Sequence, residues 1–190
     1  MAFVVAVYAE LLAPKVKPVE HKLLAQFGLL TYLTVHTNLI NVFYFAATVV
    51  SPCSPMLRLA SSYIWPMAFA SAMQLTPLYY CLDHFQPSNV RWRRDAPKMG
   101  FHGVSFAAHA SHGLATGLAL LHARSLDARH IPTLTAGLLV LFAYAVCYLA
   151  LILVNKRSCG LWPYDIMDDI EARAGPPGVY GFMGLIVLLL

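Results

Sequence analysis

Hydroxyl and imidazole side chains follow two apolar stretches of this chain at helical spacing, and together they could carry out nucleophilic chemistry. The first stretch, residues 24–50, holds a polar stripe made of Thr34, Thr37, Asn38 and Asn41. The second stretch, residues 101–122, holds a stripe made of His102, Ser105, His109, His112 and Thr116. A threonine hydroxyl needs a base to become a nucleophile, and a neutral imidazole is the natural base near pH 7. The two stripes therefore predict the nucleophile and the base of a hydrolase.

The hydroxyl and amide side chains of the first stripe share one helix face. Thr34, Asn38 and Asn41 are separated by four and three residues, which brings them to the same side of a helix. His36 points elsewhere, roughly 160° from Asn38. A structural interpretation stays open, because threonine and asparagine side chains also bind neighbouring membrane helices to each other.

The histidine stripe forms one continuous seam, because its members are spaced by three or four residues. These imidazoles could be catalytic bases or hydrogen-bonded core histidines. Metal or haem ligation is a third interpretation, because His109 and His112 lie on one face. The apolar stretches hold almost no carboxylates to complete a metal site, and Asp83, beside His84, lies at the edge of one.

The minimal catalytic unit would join Thr34 on one helix to His112 on a facing helix, within hydrogen-bond reach. Both residues lie well inside their stretches, so they are expected at similar depth. Asn38, Asn41 or Ser105 would orient the base or stabilise an oxyanion.

The composition predicts an integral membrane protein. Of 190 residues, 59% are hydrophobic and only 12% are charged, with a mean hydropathy of +0.63. Soluble domains carry about 25% charged residues. The net charge of +4 comes from short basic clusters, which are typical of membrane topology signals and give no nucleic-acid-binding face. The four cysteines form neither a CxxC pair nor a metal-binding spacing.

The apolar runs predict an all-α, polytopic membrane helix bundle that forms one domain over residues 1–190. Runs near 20 residues indicate membrane spans, and they lie at about 24–50, 56–82, 101–122 and 133–155. Two terminal runs are too short to cross about 30 Å of hydrocarbon and predict short helices. These runs lie at about 2–13 and 178–190. About six transmembrane helices are therefore expected.

Lysine and arginine set the expected orientation. They concentrate in the first, third and fifth loops, which places those loops in the cytoplasm and both termini outside. A multi-pass protein of an endomembrane or the plasma membrane is expected. Pro66 and Pro77 lie inside the third predicted helix and should kink it.

The segment Cys159–Asp165 follows the fifth predicted span and contains Trp162 and Tyr164. Aromatic residues at this position are usually anchors at the membrane interface. Alternatively, this segment caps the entrance of the site.

Three blocks of the sequence resemble the family of androgen-induced and androgen-dependent membrane proteins, the transmembrane threonine hydrolases of fatty acid esters of hydroxy fatty acids. The blocks are Tyr32–Thr34 with Ile40–Asn41 and Phe43–Phe45, then His109–His112, then Val146–Leu149 with Gly160–Tyr164 and Ile170. They follow one another in the family's order over residues about 30–170. The resemblance implies that Thr34 is the nucleophile and His112 the catalytic histidine.

The chain departs from the family at Ala110, where members usually have glycine after the first histidine of the pair. The dipeptide His102–Gly103 matches that feature instead. A register shifted to this dipeptide would put Ser105 at the catalytic position and make His109 the substitute base. The spacing to the third block favours His112.

These observations together predict a membrane-embedded hydrolase of lipid esters that takes its substrate from the bilayer. No metal cofactor is expected, because the apolar stretches hold almost no carboxylates, and no nucleotide is expected, because the sequence has no phosphate-binding glycine loop. One alternative is a haem- or metal-binding membrane redox protein that uses some of His36, His84, His102, His109 and His112. The other is a non-enzymatic transporter or scaffold whose polar stripes only hold helices together.

Overall fold

The structure, a computed structural model, describes residues 28–95, 98, 106–126 and 131–188. The all-α prediction is confirmed, since the described residues are helical with no β-strand among them. The α-helices are α1 (Leu33–Val50), α2 (Pro55–Leu78), α3 (Pro87–Asp95), α4 (Phe106–Ala123), α5 (Leu134–Cys159) and α6 (Asp165–Leu188). Short 3-10 turns at Gly28–Thr31 and Ser51–Cys53 flank α1.

The helix α2 changes its hydrogen-bonding pattern at its end. It contains Pro66 and Pro77, and after Leu78 it continues as a π-helical turn, Tyr79–His84. Proline removes a backbone donor and its ring clashes with the carbonyl four residues earlier, so Pro77 weakens the helical turn that precedes the π-helical segment. Turns of the π type inside helices are frequent at functional sites.

The C-terminal helix is longer than the sequence predicts. The stretch expected as a loop, 156–177, contains the end of α5 and the first half of α6. Asp165 and Asp168 occupy the first turn of α6, where negative side chains favour the positive end of the helix dipole. The helix breaks at Gly175, whose φ is 67°, and continues through the predicted terminal run. The run 2–13 and residues 101–105 lie outside the described residues.

Two of the described helices are long and apolar enough to cross a membrane. They are Leu33–Cys53, with a mean hydropathy of 1.4, and α5, with a mean hydropathy of 2.6. Three histidines in α4 and the acidic residues at the start of α6 make those helices more polar. Length and composition thus support two of the six expected spans among the described residues, which is a weak indication of membrane association.

Small residues let α2 approach α4 closely. Four almost fully buried alanines belong to one hydrophobic core, which we call the first: Ala68 and Ala72 of α2, and Ala115 and Ala119 of α4. The two alanines of each helix are four residues apart. Small side chains at this spacing allow two helix backbones to pack closely within a membrane. On its other sides α2 also packs against α1 and α5.

A second hydrophobic core joins α5 to α6 and to the turn between them. Its buried members are Ile152, Trp162, Met167, Val179 and Met183. The turn begins at Gly160, which ends α5 in the left-handed conformation (φ 74°) and donates its N–H to the Lys156 carbonyl at 2.8 Å. Glycine adopts this conformation without the steric penalty that other residues meet.

We expect glycine-to-alanine changes at two positions to have opposite effects on stability. Gly160→Ala should lower the free energy of unfolding by about 1–2 kcal/mol, because a Cβ is strained in the left-handed region. Gly117→Ala, inside α4, should raise it by about 0.5–1 kcal/mol, because no atom lies within 4 Å of the added Cβ. Thermal denaturation in detergent measures both, and equal shifts in the two variants would contradict the role of Gly160.

Candidate active site

The structure brings the two predicted catalytic side chains into contact. Thr34 lies in the first turn of α1 and His112 in the middle of α4, and Thr34 Oγ1 is 3.0 Å from His112 Nε2. Both side chains are half-buried. This is the distance of a hydrogen bond between a nucleophile and its general base.

Two neighbours fix the orientation of the His112 ring. Ser111 Oγ lies 3.1 Å from His112 Nδ1. The Tyr79 ring stacks on the imidazole, with centroids 3.7 Å apart and planes 15° apart. When Nδ1–H donates to Ser111 Oγ, Nε2 carries the lone pair that accepts the Thr34 hydroxyl proton. That tautomer makes His112 a base towards Thr34.

Hydroxyl groups also fix the position of α4 along the axis of α2. Thr116 Oγ1 donates to the Ala72 carbonyl and lies 2.7 Å from Thr76 Oγ1. Thr76 Oγ1 in turn contacts the carbonyl of His112. These contacts hold the catalytic turn of α4 against α2, so the position of His112 depends on them.

Two tyrosines bind the start of α1, next to Thr34. Tyr164 Oη accepts the N–H of Leu33 at 2.7 Å and lies 3.5 Å from Tyr148 Oη. Tyr148 donates to the Thr31 carbonyl at 3.0 Å. A side-chain oxygen at this place satisfies one of the N–H groups that the first turn of a helix leaves without a partner. Tyr164 therefore holds the turn that carries Thr34.

The backbone N–H of Thr34 differs from its neighbours in the same turn. The Tyr32 carbonyl accepts the N–H groups of Val35 and His36, and Tyr164 accepts that of Leu33. The Thr34 N–H has no acceptor among the described residues. Such an N–H, beside the nucleophile and at the positive end of a helix, is suited to stabilising a developing negative charge.

The structure separates the two asparagines of the first stripe. Asn41 Nδ2 donates to the carbonyls of Thr37, at 2.8 Å, and Ala68, at 3.4 Å, so Asn41 joins α1 to α2. Asn38 is 5% exposed, and its side chain has no hydrogen-bond partner among the described residues. A helical side chain leans towards the N-terminus and the residue four positions earlier, which for Asn38 is Thr34.

The remaining histidines lie in three places. His36 is on another side of α1, where Nε2–H donates to the Leu30 carbonyl at 2.6 Å and the ring packs against Tyr148. His109 bonds Tyr80 Oη through Nδ1, at 2.9 Å. His102 and Ser105 lie outside the described residues, so the shifted register stays a prediction. No group of three or more metal-binding side chains occurs in the part of the chain that the structure describes.

A charged clamp holds the turn that carries Tyr164. The Glu171 carboxylate accepts bonds from Lys156 Nζ at 2.7 Å and Trp162 Nε1 at 3.0 Å, and Lys156 also lies over the Trp162 ring. Hydrogen bonding to Lys156, and then to Trp162, lowers the pKa of Glu171. Trp162 is 1% exposed, so it is a core residue and not the interface anchor that the sequence favours.

Sequence reasoning missed Tyr79 and Tyr148 and did not assign a role to Ser111. The signal for Ser111 was present, since it lies beside His112 in the block that resembles the hydrolase family. Tyr79 begins the π-helical turn and stacks on His112, and no local pattern indicates that contact. Tyr148 lies in the third block, but its contact is with a carbonyl 117 residues away in the chain.

No protein-family model, curated protein or solved structure matches this chain.

We expect Glu171→Gln to lower the thermal denaturation midpoint at pH 7, because the charge-assisted bonds to Lys156 and Trp162 become weaker. Since the pKa of Glu171 is lower in the folded state, the stability it contributes is present above its unfolded-state pKa and is lost as pH falls through the folded-state value. The difference between wild type and Glu171→Gln should therefore shrink as the pH is lowered through the range in which Glu171 becomes protonated. Asp169→Asn, on the same helix, is the control, and an unchanged difference at low pH would contradict the assignment.

Proposed function

We propose that this protein is a membrane-embedded hydrolase of lipid esters in which Thr34 is the nucleophile and His112 the general base. The contact of 3.0 Å between Thr34 Oγ1 and His112 Nε2 carries the proposal. A nucleophile, a base within hydrogen-bond reach and a third group that orients the base form the usual geometry of acyl-transfer sites. Ser111 is the orienting group here.

In the first half of the reaction, Thr34 Oγ1 attacks the ester carbonyl carbon and its proton passes to His112 Nε2. The tetrahedral intermediate collapses, and the leaving alcohol takes that proton from His112. Thr34 is then acylated. In the second half, water attacks the acyl carbonyl, His112 accepts a proton from the water, and it returns the proton to Thr34 Oγ1 as the fatty acid leaves.

The oxyanion formed in each half requires donors close to Thr34. Three groups close to Thr34 in the helix have no partner among the described residues: the Thr34 N–H, the Thr37 hydroxyl and the Asn38 side-chain amide. The ring of Tyr79 stacks on His112, and its π face can stabilise the imidazolium that forms in the same step. The chain thus provides groups for both charges of the transition state.

The exposed surface supports a membrane setting. Along α5, Leu134 is 79% exposed, Leu139 64% and Phe142 64%, and only 17% of the most apolar part of this helix is buried. Contiguous apolar surface of this kind is rare on soluble monomers and marks a membrane or protein contact. Hydrocarbon around α5 would satisfy it. We extend this to a multi-pass bundle in which α1, α2, α4 and α5 span the bilayer, with shorter terminal helices.

The resemblance to the androgen-induced and androgen-dependent membrane proteins supports the same activity. The residues that align with the family's nucleophile and histidine, Thr34 and His112, are the two that lie in contact. Fatty acid esters of hydroxy fatty acids, or similar lipid esters, are the substrates we propose. A substrate of this kind would reach a site between helices from the bilayer.

Fluorophosphonate labelling of the detergent-purified protein tests the catalytic pair. We expect wild type to be labelled and both Thr34→Ala and His112→Ala to lose labelling and esterase activity, by a factor of at least about 10³. The double variant should lose no more than either single variant, because members of such a pair act as a unit.

Thr48→Ala is the matched control for this test. Thr48 lies on the same helix and only bonds its own backbone at Tyr44, so labelling should be retained. Retained labelling in Thr34→Ala would move the nucleophile to another residue. A folded wild type that is never labelled would overturn the hydrolase proposal.

A second test separates Asn38 from Asn41. Asn38→Ala should lower kcat by a factor of about 10² to 10³ with little change in KM, because an oxyanion donor acts mainly in the transition state. Asn41→Ala should instead lower the thermal denaturation midpoint and leave kcat per folded molecule near the wild-type value, because its amide joins α1 to α2. Unchanged kcat in Asn38→Ala would contradict its role.

A further inference from the structure

A cluster of basic side chains lies beside the catalytic pair, where α3 meets the π-helical turn and α4. It consists of Arg93, His84, His109 and Tyr80, and we refer to it as the basic cluster. Arg93 donates from Nη2 to the His84 carbonyl, and Arg93 Nη1 is 3.3 Å from His84 Nδ1. The rings of His84 and His109 have centroids 5.2 Å apart, and Tyr80 Oη is 2.9 Å from His109 Nδ1.

One side chain connects this cluster to the catalytic base. The Tyr79 ring stacks on His112, and its hydroxyl lies 3.3 Å from His84 Nδ1. His109 is also one helical turn before His112 on α4. A ligand bound at the basic cluster would therefore lie next to the reacting ester and nearer to the polar helix α3.

The charge of Arg93 has no counterpart among the described side chains. Its guanidinium is half-buried and forms no ion pair with a described side chain. The basic residues that follow it differ, because Arg94 and Lys98 both pair with Asp95. A partly buried cation without a counter-charge is unfavourable, and the planar fork of arginine matches the two oxygens of a carboxylate or phosphate.

We propose that the basic cluster binds an anionic oxygen group of the substrate, a carboxylate or a phosphate, while the ester reaches Thr34. This inference rests on the proposed hydrolase function and names the residue that recognises the anionic end of the substrate. Arg93 is then a specificity residue that acts on binding and not on the chemical step.

Three esters of equal chain length test this assignment with the full-length protein in detergent. One ends in a carboxylate, one in a phosphate, and one in the neutral methyl ester of the carboxylate. We expect wild type to hydrolyse at least one anionic ester with kcat/KM higher than that of the neutral ester by a factor of about 10 to 100, mostly through KM. Which anionic ester is preferred identifies the carboxylate or the phosphate as the ligand.

Arg93→Gln should lose this preference and hydrolyse the neutral ester as wild type does. Arg93→Lys should keep part of it, because the charge remains and the planar fork is lost. Arg94→Gln is the matched control and should keep it all, since Arg94 pairs with Asp95 at the surface. A wild type without preference, or an Arg93→Gln that slows all three esters equally, would overturn the proposal.

A binding measurement separates this proposal from the hydrolase function. If no ester is hydrolysed, the proposed function fails, and the affinities for hexadecanoate, hexadecyl phosphate and hexadecanol still test the anion site. Binding of either anion that is tighter than that of hexadecanol, and that loses this advantage in Arg93→Gln, supports the site. Equal binding of all three amphiphiles, or binding that Arg93→Gln does not change, rules it out.

Discussion

The close contact between α2 and α4 is the constraint on which the rest of the structure depends. Four buried alanines leave so little side-chain volume between these helices that their backbones meet, and hydroxyl groups can then reach across to backbone carbonyls. These bonds fix the position of α4 along the axis of α2. In that position His112 lies opposite Thr34 and under the Tyr79 ring. Bulky side chains in place of the alanines would move the helices apart and separate Thr34, Tyr79 and His112.

Thr34 is positioned by a different part of the molecule, which lies far along the chain from α1. The turn between α5 and α6 supplies Tyr164, and α5 itself supplies Tyr148, so the start of α1 is held by residues more than 100 positions away. The Glu171 clamp then stabilises that turn against the second hydrophobic core. The two packing units thus each position one partner of the hydrogen bond between Thr34 and His112.

The helix faces could be predicted from the sequence, and the contacts between helices could not. Spacings of three and four residues gave the polar stripes, and the similar depth of Thr34 and His112 was enough to anticipate their meeting. The same spacing could not distinguish Asn41, which binds α2, from Asn38, which does not, because that depends on which carbonyl lies opposite. The start of α6 was missed because acidic residues and prolines resemble a loop, although aspartates favour the first turn of a helix.

The π-helical turn at Tyr79–His84 bears on chain length in a way that substitutions do not reveal. A π turn uses one residue more than an α turn for each hydrogen-bonded ring. Deleting one residue between Tyr79 and His84 would convert the turn to regular α-helix and leave these two residues four positions apart, which still puts them on one side of the helix. The turn therefore accommodates one residue more than an α-helix needs, and the tyrosine that stacks on His112 and the histidine that contacts the arginine keep a common side with or without it.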